Sequence, residues 1–183
     1  MTGQVAKTSE THPIRIATLH VGNGKIGITF CPGKKQRGAM TGTWDRDLRT
    51  DLESIRDWGA CDIVSLVEVD AMIQLGVEEL PAMVSALGLR WHHLPIADQS
   101  TPDALFEIEW RSRLPGLVSV LRLGGGVLVH CKGGLGRAGT IAARLLLACA
   151  EMPASQAIAM VRAVRPGAIE TLAQERYVLA QKM

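Results

Sequence analysis

Short apolar runs and amphipathic stretches alternate along the 183 residues. Ile14 to Val21 reads as a strand, Gly22-Asn23-Gly24 as a turn, and Lys25 to Cys31 as a second strand with alternating apolar positions, so a β-hairpin is predicted. Trp44 to Trp58 carries a helical stripe through Leu48, Leu52, Ile55 and Trp58, with Thr43 as N-cap and Gly59 as C-cap. Asp62 to Glu68 has the length and composition of a buried strand. Asp70 to Leu75 and Glu78 to Leu87 read as short helices, with Pro81 confined to the first turn of the second. Arg90 to Ile96 is another strand. Val127 to Val129 forms an apolar run that ends at His130-Cys131, and Ala138 to Glu151 is a helix apolar on nearly every side, hence buried. Met152-Pro153 breaks it. Ala154 to Arg165 and Ile169 to Gln181 supply two more helices, the first with Ile158, Val161 and Val164 inward. Strands alternating with helices predict an α/β fold, a central and largely parallel sheet flanked by helices.

Composition narrows the picture. Hydrophobic residues make up 47% and charged residues 21% of the chain, as in a globular domain. Residues 1–13 are polar and read as a flexible tail without the apolar core of a signal peptide, leaving residues 14–183 as one domain. The longest apolar stretches are interrupted by Gly, Arg or Pro, so no membrane span is expected. A net charge of +2 is too small to indicate a nucleic-acid partner. Cys31, Cys61, Cys131 and Cys149 are far apart and lack zinc-ligand spacing; they read as reduced thiols of a cytoplasmic protein. Nothing in the sequence calls for a metal or cofactor.

The chemistry concentrates between residues 130 and 140. A strand ends at His130-Cys131, a loop follows, and a helix begins near Arg137. Five residues separate Cys131 from Arg137, and three of them are glycines. Glycines let a backbone curl so that successive N–H groups converge on an anion, and the helix N-terminus adds its positive end. The amides of Lys132, Gly133, Gly134, Leu135, Gly136 and Arg137 are therefore expected to line a phosphate cradle. The Arg137 guanidinium would clamp two phosphate oxygens. A cysteine at the entrance of such a cradle is favoured as thiolate and placed to attack phosphorus, giving a phosphocysteine. His130 is expected to orient the loop through its hydrogen bonds.

A second informative stretch is Pro95 to Asp103, between a strand and a helix. Thr101 is read as N-cap, Pro102 as the first helical residue and Asp103 as a dipole-compensating residue behind it. Asp98 has no such local role. Loops after strand C-termini gather at one edge of an α/β sheet, which places Asp98 at the Cys131 edge, where a carboxylic acid can protonate a leaving oxygen and later deprotonate water. His92 and His93 are read as structural. The basic segment Pro32 to Gly38 reads as a solvated loop, with contact to an anionic substrate as the alternative.

The run His130-Cys131-x-x-Gly134-x-x-Arg137 resembles the signature of the cysteine-dependent protein tyrosine and dual-specificity phosphatases. Ala138 departs from it, since those enzymes carry Ser or Thr after the arginine. His92-His93-Leu94-Pro95-Ile96-Ala97-Asp98, with Thr101-Pro102-Asp103 and the Gly133–Arg137 loop, resembles the kinase-associated phosphatases, the cyclin-dependent kinase inhibitor 3 family, over about residues 43–177. The resemblance implies the phosphatase fold, a phosphorylated protein or peptide as substrate, and Asp98 as the general acid. It also places Gln174 beside the loop, where it would position the attacking water. Thr140, near the first turn of the helix, is a candidate to support the cysteine sulfur in place of the missing hydroxyl at 138. Two other readings stay open. Lys132 adds a cation suited to a phosphoinositide or other polyanion, and Ala138 suits a pseudophosphatase that binds phosphoproteins without turnover.

Overall fold

The computed structural model describes residues 5–181. The hairpin forms as its pattern predicts: β1 (Ala17–Val21) pairs antiparallel with β2 (Gly24–Phe30) across the Gly22 turn. A five-stranded sheet follows in the order β1-β2-β7-β5-β6, where β5 is Ala60–Ser65, β6 Arg90–His93 and β7 Gly126–Cys131. Every pairing except β1–β2 is parallel. β7 lies in the middle and all six of its residues are buried, as expected of a strand with helices on both faces.

Side-chain alternation along β7 divides two cores. Val127, Val129 and Cys131 face one, with Phe106 and Trp110 of α4 (Ala104–Arg122), Ile141 and Leu145 of α5 (Gly136–Cys149), Ile158 of α6 (Ala154–Val164) and Val178 of α7 (Leu172–Leu179). Leu128 faces the other, with Leu52 and Ile55 of α1 (Leu48–Trp58), Met72 of α2 (Val69–Gln74), and Leu80 and Val84 of α3 (Leu80–Ala86). The period-two geometry of a strand thus sends consecutive residues to opposite layers. α5 is sandwiched between the sheet and α4, α6 and α7, which is why its apolar residues run almost all the way round.

Four expectations need correction. The stripe assigned to one helix from Trp44 is split: Gly42–Asp45 is strand β4, and α1 begins at Leu48 with Asp47, not Thr43, as its N-cap. Trp44 sits four residues before Leu48, so it fits the helical stripe by spacing alone. In the fold it packs against Phe30 instead, with ring centroids 5.2 Å apart. The basic loop is also partly strand, since Lys35–Ala39 forms β3 and pairs with β4. At the start of α4, Asp103 is itself the N-cap and its side chain accepts from the Phe106 amide at 2.8 Å.

The fourth correction concerns the stretch read as a flexible tail. Residues 1–4 lie outside the described residues, but from Lys7 onward the segment is tied down. The Lys7 amide donates to the Thr43 carbonyl at 2.9 Å, and Lys7 bridges to Trp44. The cause is Arg46, whose side chain is fully buried beside Asp51. A buried guanidinium needs acceptors for all its donors. Asp51 satisfies two, at 2.7 Å each, and the carbonyls of His12 and Thr8 satisfy another from residues 8–12 at 2.7 and 3.3 Å.

Candidate active site

The C-terminal ends of β5, β6 and β7 converge where β7 runs into the 131–137 loop. Gly134 takes φ +68°, and a Cβ there would come within 2.4 Å of the Thr29 backbone, so only glycine allows the loop to fold back on β2. Cys131 is buried, and its Sγ accepts a hydrogen bond from the Gly134 amide at 3.2 Å. The loop closes over its own sulfur.

Arg137 opens α5 with its side chain buried. Its guanidinium is held by the segment after β6: Nη1 donates to the Ile96 carbonyl at 2.8 Å and Nη2 to Asp98 Oδ1 at 2.7 Å. The Asp98 side chain is 63% exposed, so the carboxylate bonded to the buried arginine is also open to solvent. Asp98, Lys132 and Arg137 line one cleft of about 230 Å³, together with Glu68 and Asp70. Residues chosen from two separate stretches of the sequence therefore meet at one opening.

His130 is fully buried in β7, and its Nε2 lies 2.6 Å from Ser65 Oγ. The Trp91 indole N–H donates to the same oxygen at 2.7 Å. Burial pushes the imidazole down to about 4, with the Arg137 charge acting the same way and the Cys131 backbone opposing it. His130 is therefore a neutral strut at ordinary pH. Ser65 and Trp91 are parts of this support that sequence reasoning missed, because their contact depends on the register of β5 against β6 and β7. His92 and His93 stay outside the cleft: His92 Nε2 is 2.7 Å from Asp62, and His93 Nε2 is 2.8 Å from the Val67 carbonyl.

The supporting residues are distributed differently from expectation. The Thr140 hydroxyl donates to the Gly136 carbonyl one turn back, at 2.8 Å, and does not reach the sulfur. A buried hydroxyl in the first turns of a helix takes the nearest free carbonyl. Gln174 is buried, forms a capping box with Thr171, and donates to the Ser100 carbonyl at 3.2 Å. Its amide stands against Gly136, where an added Cβ would lie 2.8 Å from Oε1. The expected cradle of free amides is also incomplete. Besides Gly134, which serves the sulfur, the Gly136 amide donates to Glu170 Oε2 at 2.8 Å. Arg165 braces the far side of the loop, donating to the carbonyls of Gly134 at 2.8 Å and Gly133 at 3.1 Å.

A second cysteine adjoins the site. Cys31 follows β2 beside the loop, its amide bonded to the Lys132 carbonyl at 3.4 Å. Burial pushes its thiol up to about 12, so it stays protonated and is no candidate nucleophile.

A family profile described as PTP-SAK, the Swiss Army Knife protein DSP-PTPase phosphatase domain, matches residues 52–178. The chain belongs to the dual-specificity phosphatase family. Human cyclin-dependent kinase inhibitor 3 is 31% identical over 175 residues, covering 92% of this chain and 79% of that protein. A structure of kinase associated phosphatase with its catalytic-site cysteine substituted by serine superposes with a TM-score of 0.79 at 29% identity, covering 93% of this chain and 98% of that one. Tk-PTP in its active form gives a TM-score of 0.64 at 25% identity over 87% and 94%. The phosphatase fold implied by the motifs is thus shown, with its mixed, mostly parallel sheet. In this phosphatase domain no helix among the described residues is long and apolar enough to cross a membrane.

Proposed function

We propose that the chain hydrolyses phosphomonoesters through a phosphocysteine, with phosphorylated proteins or peptides as substrates. The observation that carries this reading is the ion pair of Arg137 with Asp98, Nη2 to Oδ1 at 2.7 Å, in a cleft that both line with Lys132, the residue after Cys131. The Cys131 thiolate attacks phosphorus as the P–O bond to the leaving group breaks, and protonated Asp98 gives its proton to that oxygen. Arg137 and the amides of Lys132, Gly133 and Leu135 hold the oxygens of the transferring group. Asp98, now a carboxylate, then takes a proton from the attacking water. The S–P bond breaks, releasing phosphate and restoring the thiolate. Gln174 stands beside Gly136, suited to hold that water. Every step uses side chains of this chain and none requires a metal.

Turnover of an aryl phosphate tests the reading. Wild type should turn it over and resist chelators. Cys131→Ser should be inactive while still binding phosphate, and Asp98→Asn should lose about 10²- to 10³-fold in turnover. No turnover by well-folded wild type would favour the pseudophosphatase that Ala138 suggests. Activity retained by Cys131→Ser would exclude a phosphocysteine. Parallel assays on phosphopeptides and phosphoinositides decide between protein and polyanion substrates.

A further inference from the structure

Lys34 differs from the other charged groups around the 131–137 loop. It is 5% exposed. Among the described residues no carboxylate bridges it and its side chain donates to no acceptor. Its place is set by the backbone on either side. Gly33 turns at φ +70°, where an added Cβ would lie 2.6 Å from that of Leu48. The Gly33 amide donates to Asp51 at 2.9 Å, the Lys34 amide to the Cys31 carbonyl at 3.4 Å, and the Arg46 amide to the Lys34 carbonyl at 3.3 Å. The ammonium stands 4.4 Å from the Trp44 ring centroid and 4.9 Å from that of Phe30. Aromatic faces offset part of the cost of burying a charge, but they are no counter-ion.

The reaction site adjoins this lysine. Phe30 is the β2 partner of Cys131 in the sheet, and Gly134 folds back on the backbone of Thr29 and Phe30. Lys34 lines one pocket with Gly133 and Leu135 of the loop. Burial works against its charge, as do Arg46 and Lys132, whereas the sulfurs of Cys31 and Cys131 favour it. Cys31 is held protonated by its own burial. Cys131 is thus the sulfur able to supply the missing counter-charge.

The other charges about Cys131 have partners. Arg137 is paired with Asp98, and Arg165 donates to the Gly134 and Gly133 carbonyls. The Glu170 carboxylate accepts from the Gly136 amide, His130 is neutral, and Lys132 lines the cleft with Asp98, Glu68 and Asp70. Ala138 has no hydroxyl and Thr140 gives its own to Gly136, so the Gly134 amide is the donor bonded to the sulfur.

We propose that Lys34 is a positioning residue for the chemistry at Cys131: its ammonium, fixed beside the loop, holds the sulfur as thiolate for attack, and again when the S–P bond breaks and the electron pair returns to sulfur. This rests on the reading of Cys131 as nucleophile. The effect is reciprocal, since one Coulomb energy keeps both the lysine and the sulfur charged.

Alkylation of Cys131 by iodoacetamide, a neutral reagent, tests this from about pH 5 to 9.5, with the modified residue identified by mass spectrometry. At pH 6, Lys34→Met should react at least about fivefold more slowly than wild type, because only the thiolate reacts. The gap should close above about pH 8, where wild-type Lys34 gives up its own charge. Lys34→Arg keeps the charge and should stay within about twofold of wild type at pH 6. A second measurement needs no Lys34 variant: in nitrogen NMR of isotopically labelled lysine, the Lys34 ammonium should titrate at lower pH in Cys131→Ser than in wild type. Superimposable alkylation profiles, or a Lys34 titration unmoved by loss of the sulfur, would overturn the proposal. So would a slowing equal at every pH, which marks altered access and not charge. Aryl phosphate turnover by wild type is read separately. Its absence would sink the phosphocysteine reading while the alkylation profiles still judged Lys34.

Discussion

Lys34→Met should make the protein more stable. Burial lowers the lysine from its ordinary 10.5 to about 8, helped by the charges of Arg46 and Lys132 and opposed by the Cys31 and Cys131 sulfurs. That difference corresponds to about 3 kcal/mol of cost for holding the ammonium in the fold at pH 7. The Phe30 and Trp44 faces return about 1–2 kcal/mol of it. Methionine fills a similar volume, carries no charge and makes favourable sulfur–aromatic contacts. A net gain of about 1–3 kcal/mol follows, or a Tm higher by roughly 2–10 °C for a domain of this size.

The pH dependence isolates the cause. A folded-state value below the unfolded one means that, between pH 8 and 10.5, the unfolded chain holds a proton the folded chain has released. Wild-type stability therefore gains from this group as pH rises through that window. The advantage of the methionine variant should be complete below pH 8 and should fade as pH approaches 10.5. Urea unfolding of both proteins at pH 7, 8.5 and 10 measures it. A variant less stable than wild type, or an advantage that does not change with pH, would refute the assignment of Lys34 as an uncompensated buried cation.

Other expected outcomes concern the flanking structure. Asp103→Ala removes the cap on the Phe106 amide and should cost about 1 kcal/mol, read as a lower urea midpoint; an unchanged midpoint would deny the cap its role. His130, held near 4 against an ordinary 6.5, binds a proton in the unfolded chain before the folded one. Its contribution should be complete above pH 6.5 and lost as pH falls toward 4, by about 3 kcal/mol, and His130→Asn should show a shallower acid loss than wild type whatever its stability at pH 7. Ala138→Ser restores a hydroxyl that Thr140 does not replace, since Thr140 is bonded to the Gly136 carbonyl. It should speed phosphoenzyme breakdown by about 10- to 100-fold in rapid-quench kinetics. Equal breakdown rates would show that the Gly134 amide alone supports the leaving sulfur.

The parts legible in the sequence are those written in short-range patterns. Gly22-Asn23-Gly24 between two apolar runs specified the β1–β2 hairpin, and the all-apolar stretch after Arg137 specified a buried helix. The strand–glycine loop–arginine order specified a tight turn into a helix, because φ > 0 at Gly134 and the N-terminus of α5 are local properties. Even Asp98 was legible, from its lack of any local role. Tertiary structure decided the rest, because each choice depended on a neighbour distant in the chain. Trp44 suited a helix by spacing and became a strand residue because Phe30 and Lys34 were there to receive it. The segment from Lys7 was fixed by the unmet donors of Arg46. Glu170 found the Gly136 amide across 34 residues, and Trp44 came over Lys34 only through the pairing of β3 with β4. Periodicity tells which side of an element turns from water; it does not tell which charge, carbonyl or ring will be waiting there.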